Sequence, residues 1–227
     1  MKRSSRNATR RLVALALFAA LAYVCTFLLH IKVLFLTFDA KDSMMAIAGM
    51  FFGPGAAAIL SFLVPTLELF TIGSETGLYG FVMNVASSLA FSVTAALIYK
   101  YRKTLGGALF ALGTALFSMT AFMMLMNLLV TPYFMGVTVS EVVNLIPTLL
   151  LPFNLTKAML NAALVLVLYK PMATALRRTR LVAESSAPAS YRLDRRTLLM
   201  LLLGVLLIAL SVALFVGVLG GQIIFWE

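Results

Sequence analysis

Apolar positions run nearly unbroken through this chain, in blocks set apart by short polar breaks. The first block covers residues 11–29. A mixed stretch, 30–42, follows and carries Phe38-Asp39-Ala40-Lys41-Asp42. Residues 43–52 are apolar but too few to cross a hydrocarbon core of about 30 Å, which takes roughly 20 helical residues. Gly53-Pro54-Gly55 ends that segment, because Pro lacks a donor and Gly favours a turn. The next blocks cover 56–72, which holds Pro65 and Glu68, then 78–99 and 105–130. Residues 131–147, with Pro132 and Gly136, read as a longer connection, and 148–169 as the sixth helix. A last, plainly apolar helix runs from 198 to about 225. The pattern predicts an all-α integral membrane protein: a six-helix membrane domain at 1–176, a basic linker at 177–197 with a small-residue centre at 181–190, and an additional C-terminal transmembrane helix at 198–227. No internal repeat is visible.

Composition places most of the chain in lipid. Hydrophobic residues make up 62% and charged residues 11%, far too little polar surface for a soluble domain of this length. Backbone hydrogen bonds must therefore close within helices. The net charge of +10 does not indicate nucleic acid, since the bases cluster between apolar runs and no long basic stretch exists to track phosphates. They mark topology instead. Lys2, Arg3, Arg6, Arg10 and Arg11 place the N-terminus in the cytoplasm of a multi-pass plasma-membrane protein. Lys100-Tyr101-Arg102-Lys103 and the segment from Lys170 to Arg196 fall on the same side, provided that 43–52 crosses or nearly crosses. The opposite side carries Asp39, Asp42, Glu75 and Glu141, with only Lys32 and Lys41 among the bases, and the last helix puts Glu227 there as well.

Several chemistries are excluded. Cys25 is the single cysteine and His30 the single histidine, so there is neither an internal disulfide nor a Cys/His zinc site. His30 reads as an interfacial residue at the end of the first run. Ala20-Leu21-Ala22 imitates a signal-cleavage site, but the run continues to Leu29 and more spans follow, which reads as a retained signal anchor. No nucleophile elbow, P-loop or dinucleotide fingerprint occurs. Energised transport would need partner subunits.

Polar groups inside spans are costly and usually functional. Lys157 stands out, in Leu151-Pro152-Phe153-Asn154-Leu155-Thr156-Lys157, and Asn154 shares its helix face three residues earlier. Two readings are open: contact with a ligand, or an ion pair with Glu68 that holds the third and sixth helices together. Asn84 and Asn127 either bond between helices or face a ligand. Asp39 and Asp42 flank the start of the short second helix, where Asp42 is placed to cap it. Ala16 and Ala20, and likewise Gly49 and Gly53, repeat the small-x-x-x-small spacing that permits close helix approach.

Phe35-Leu36-Thr37-Phe38-Asp39-Ala40-Lys41-Asp42, then Phe51-Phe52-Gly53-Pro54, Gly80-Phe81-Val82-Met83-Asn84, Met126-Asn127 and the Pro-Phe-Asn-x-x-Lys of 152–157 together resemble the riboflavin-specific substrate-binding (S) components of energy-coupling factor (ECF) transporters. The resemblance covers about residues 10–172. It implies a six-helix S-component bundle that binds vitamin near the outer face. It implies assembly with a transmembrane coupling subunit and two cytoplasmic ATPases, which drive toppling and inward release. It implies a transported ligand, riboflavin, and no cofactor. By motif, Asn127, Asn154 and Lys157 would contact the flavin, and the Asp39–Asp42 segment would form the outer loop over it. Glu68 and Asn84 complete the expected substrate-binding set, and Ala16 and Ala20 resemble the face that docks onto the coupling subunit. The chain departs from the family pattern at Thr37, where Lys is common, and at Ala40-Lys41, where Pro-Ser is common. It departs again at Pro65 and Glu68, and in the seventh helix. Three other readings stand beside this one: an S component for another vitamin or a nucleobase-like compound, a small intramembrane enzyme using Asp39 and Asp42, and a ligand-free assembly subunit.

Overall fold

The computed structural model describes residues 2–28, 31–71, 76–179, 181 and 195–218. The expectations for His30, Glu75, residues 182–194 and Glu227 fall outside the described residues. Helix α1 (Lys2–Leu28) leads into a two-stranded hairpin, β1 (Ile31–Val33) and β2 (Leu36–Phe38), then α2 (Lys41–Phe52) and α3 (Pro54–Thr71). Helices α4 (Gly77–Ser88) and α5 (Thr94–Tyr101) are joined without a break by a π-turn at Leu89–Val93. Helix α6 (Leu105–Met135) follows. A second π-turn, Ile146–Leu150, fuses α7 (Val139–Leu145) to α8 (Leu151–Arg178), and α9 (Arg195–Val218) closes the described chain. Among the described residues, six helical spans are long and apolar enough to cross a membrane: Ala8–Leu28, Pro54–Thr71, Gly77–Tyr101, Leu105–Met135, Val139–Arg178 and Thr197–Gly217. With α2 this is the expected six helices plus one.

The short helix is the centre of the bundle. From Lys41 to Met50 every residue of α2 is buried, with α1, α3, α5 and α8 packed around it. Its 12 residues rise only about 18 Å at roughly 1.5 Å per residue, so it nearly crosses rather than crosses. Small side chains allow the enclosure. A Cβ at Gly49 would sit 2.7 Å from the Cβ atoms of both Ala57 and Ala96, so this face tolerates only hydrogen. Gly53, at φ 95°, then turns the chain into Pro54, the first residue of α3.

Two expectations are corrected. Residues 131–147 are not a long connection. Helix α6 continues to Met135 and ends on Gly136 in the left-handed conformation. Only Val137 and Thr138 separate Gly136 from α7, which starts with a capping box between Thr138 and Glu141. Pro147 does not end this helix because it lies in the π-turn, where the widened ladder absorbs its missing donor. Second, the mixed segment holds a hairpin, with Ile31 opposite Phe38 and Val33 opposite Leu36.

Helix α9 lies along α8. Its buried stripe is Thr197, Met200, Ser211 and Phe215. Between them Gly204 gives the closest approach, since a Cβ there would meet Val167 Cγ2 at 2.7 Å and the Ala163 carbonyl at 3.2 Å.

Candidate ligand cavity and the ionic cluster behind it

At the hairpin end of the bundle the helices part to leave a cavity of about 640 Å³, open mouth included. The hairpin turn and β2 form one wall, through Phe35, Leu36 and Thr37, and α4, α6 and α8 form the others. Aromatic rings line the opening: Phe134 lies 5.9 Å from Phe35 and 6.2 Å from Tyr79, centroid to centroid. Leu34 of the hairpin turn sits at φ 54°, a conformation uncommon for a residue with a bulky side chain.

Polar groups meet the cavity from three helices. Asn84 and Ser87 come from α4, Asn127 and Thr131 from α6, and Asn154 and Lys157 from α8. Each keeps hydrogen-bonding capacity in hand. Asn127 Nδ2 donates one bond, to the Met123 carbonyl at 2.7 Å, and its Oδ1 accepts from Thr131 at 3.0 Å. Asn154 Nδ2 donates to the Leu150 carbonyl at 2.8 Å, which leaves a second N–H and the whole amide oxygen available. Ser87 Oγ is buried without a partner. Lys157 Nζ donates to Asp39 Oδ2 at 2.8 Å and to the Thr37 carbonyl at 3.3 Å, so one of its three protons is unused by these bonds.

Behind this wall lies an ionic cluster. Asp39 Oδ2 receives Lys157 and also Lys41, at 3.2 Å. Lys41 reaches on to Glu68 Oε2 at 2.6 Å, and Glu68 Oε1 accepts from Thr26 of α1 at 2.6 Å. Two ammonium groups and two carboxylates thus neutralise one another at nearly zero exposure. Burial alone would push the Asp39 carboxyl up, but Lys157 and Lys41 outweigh it and hold the group well below the usual carboxylate range. Asp42, the next buried carboxylate, accepts from Ser88 Oγ at 2.5 Å.

Among the seven expected substrate-binding residues, Asn84, Asn127, Asn154 and Lys157 line the cavity, while Asp39, Asp42 and Glu68 lie behind it. Two details are corrected. Lys157 does not pair with Glu68: the hairpin returns Asp39 to its ammonium, and Lys41, in the first turn of α2, claims Glu68. Asp42 does not cap α2. The first turn is closed by Asn161, whose Oδ1 accepts from the Ser43 N–H at 2.8 Å while its Nδ2 donates to the Asp39 carbonyl at 3.2 Å. Asn161 was not singled out from the sequence, although it repeats the α8 face of Asn154 at a spacing of seven. Ala16 and Ala20 are exposed on the outer face of α1, beside Leu17 and Leu21, while Ala19 and Ala22 face the core.

The cavity lies between α4, α6 and α8 and is walled on one side by the hairpin, and sequence comparison gives the chain a family. Residues 10–171 match the description "ECF transporter, substrate-specific component". The chain belongs to the ECF transporter S components. This S component is 27% identical over 179 residues to the riboflavin transporter RibU of Staphylococcus aureus (strain TCH60), an alignment covering 74% of this chain and 93% of that protein. It also superposes on a solved S component of a bacterial ECF transporter with a TM-score of 0.64 and 25% identity, covering 75% of this chain and 99% of that one. The S component is thus a multi-pass membrane protein of a transport system.

Proposed function

We propose that this S component binds riboflavin at the extracytoplasmic side and releases it inward by ATP-driven toppling, with a transmembrane coupling subunit and two cytoplasmic ATPases. The observation that carries the ligand is the cavity's division of labour. Phe35, Phe134, Phe153, Tyr79 and Met83 offer flat apolar walls, and Asn84, Asn127, Asn154 and Lys157 offer amides and an ammonium at its depth. An isoalloxazine ring is flat and apolar at one end and carries an imide and carbonyls at the other, which fits such a lining. The similarity to a riboflavin transporter supports the same ligand. Orientation follows the positive-inside rule: Arg10, Arg11 and the Lys100–Lys103 loop in the cytoplasm place the hairpin and cavity outside. The exposed Ala16/Ala20 face of α1 is the docking surface for the coupling subunit.

Purified protein titrated with riboflavin should quench the flavin's fluorescence stoichiometrically, and material carrying bound ligand should be yellow. A colourless preparation that leaves riboflavin fluorescence unchanged would move the assignment to another vitamin or a nucleobase-like compound. Ala16→Trp, which adds bulk only to the exposed face, should abolish uptake in cells and leave the titration unchanged. Equal loss of both would make the alanine face internal packing.

A further inference from the structure

Helix α9 lies outside the family match, which ends at residue 171, and the related solved chain is already 99% covered without the remaining quarter of this one. Its outer face, Leu198, Leu202, Val205, Leu206, Val212 and Val216, is exposed and apolar, as suits lipid. Its inner face does something specific. Thr197 is held by Lys170 Nζ, and Gly204 brings the helix against Val167. These contacts fix the helix along α8 and deliver Phe215 to the hairpin. Phe215 lies 5.6 Å from the ring of Phe38 in β2, and Phe38 lies 6.0 Å from Phe153 of α8, edge to face. Phe153 lines the cavity. Phe38 is flanked by Thr37, a cavity residue, and by Asp39, the partner of Lys157.

We propose that α9 is a brace on the binding site: Phe215 pins strand β2 against α8 and thereby slows exchange between the cavity and the outside. Phe215 is a positioning residue in this scheme, acting through Phe38, and it touches no ligand. The brace rests on the cavity being the ligand site, as assigned above. Without α9, Phe38 would lose its contact with Phe215, and the strand that carries Thr37 would be held less tightly against α8.

The test uses the full-length chain with Cys25→Ala and a reporter, Thr37→Cys, labelled by a water-soluble maleimide. Phe215→Ala should raise the labelling rate about fivefold, the population change expected when one aromatic pair is lost. Phe215→Leu, which keeps apolar bulk, serves if the alanine variant does not fold and should give a smaller rise. Met200→Ala perturbs the same buried stripe far from the hairpin and should leave the rate unchanged. Riboflavin should dissociate faster from Phe215→Ala in the same proportion, with its association rate altered less. Unchanged labelling in both Phe215 variants overturns the brace, and so does an equal rise in Met200→Ala, which would mean general loosening. If the unmodified chain fails to bind riboflavin while labelling still responds to Phe215 alone, the ligand assignment fails and the brace stands.

Discussion

Two polar regions lie side by side under the hairpin and differ in how fully they are satisfied. In the ionic cluster the charges are paired, with Lys41 joining Asp39 to Glu68, Lys157 closing on Asp39 and Thr26 bonded to Glu68, and only the second oxygen of Asp39 is left without a hydrogen bond. In the cavity the amides of Asn127 and Asn154 spend part of their capacity on the preceding helical turn, and Asn84 makes no side-chain bond among the described residues. A buried polar group left incomplete is costly unless something else completes it. The paired region holds the protein's own charges together, and the incomplete one is the region we propose to receive the ligand. Lys157 belongs to both, with its ammonium on Asp39 and its side chain on the cavity wall.

Substitution can break this contrast. The largest effect is expected at Lys41. Lys41→Met leaves Glu68 buried with only the Thr26 hydroxyl and should destabilise the protein by about 3–5 kcal/mol, the range for breaking a buried ion pair from one side. Adding Glu68→Gln should recover much of the loss in a thermal-unfolding assay. A stable single variant would show that the cluster is not structural.

Lys157→Met comes next and should affect both regions. Asp39 retains Lys41, so stability should fall less than for Lys41→Met, while riboflavin binding weakens by roughly 1–3 kcal/mol, or ten- to a hundredfold. Glu68→Gln should not repair this variant, because Glu68 is not its partner. Repair would reinstate direct pairing of α3 and α8. Thermal unfolding and riboflavin titration on the same preparations separate the outcomes.

The smallest change in stability is expected at Asn154. Asn154→Leu removes a group whose only bond is to its own helix, so unfolding should shift by less than about 1 kcal/mol, while riboflavin binding again falls about ten- to a hundredfold. Full binding by this variant would remove Asn154 from the site.

What could be read from the sequence follows the same division. Long apolar runs report helices because lipid leaves the backbone no other partner, and the spans were legible on that ground. Asn84, Asn127, Asn154 and Lys157 were legible because a polar group in such a run is conspicuous. The choice of partner was not. Asp39 and Glu68 are equally plausible mates for Lys157 until a hairpin of three-residue strands, too short to show alternation, brings one of them close. The extension of α8 back to Val139 was hidden because Pro132, Gly136 and Pro147 read as breakers. Gly136 ends α6 and Pro147 sits where no ladder donor is missed.

The π-turn at Ile146–Leu150 has an angular consequence. An α-helix advances about 100° per residue, so one residue taken into a wider turn rotates everything beyond it by about that angle. Val142 on the near side and Phe153, Asn154 and Lys157 on the far side all face inward. The turn acts as a phase shift between two stretches of one rod. Shortening it by a single residue would leave the hydropathy of the segment nearly unchanged and carry the amide and the ammonium about a quarter-turn away from the cavity. The aim of the site is thus encoded in a count of residues as well as in their identity.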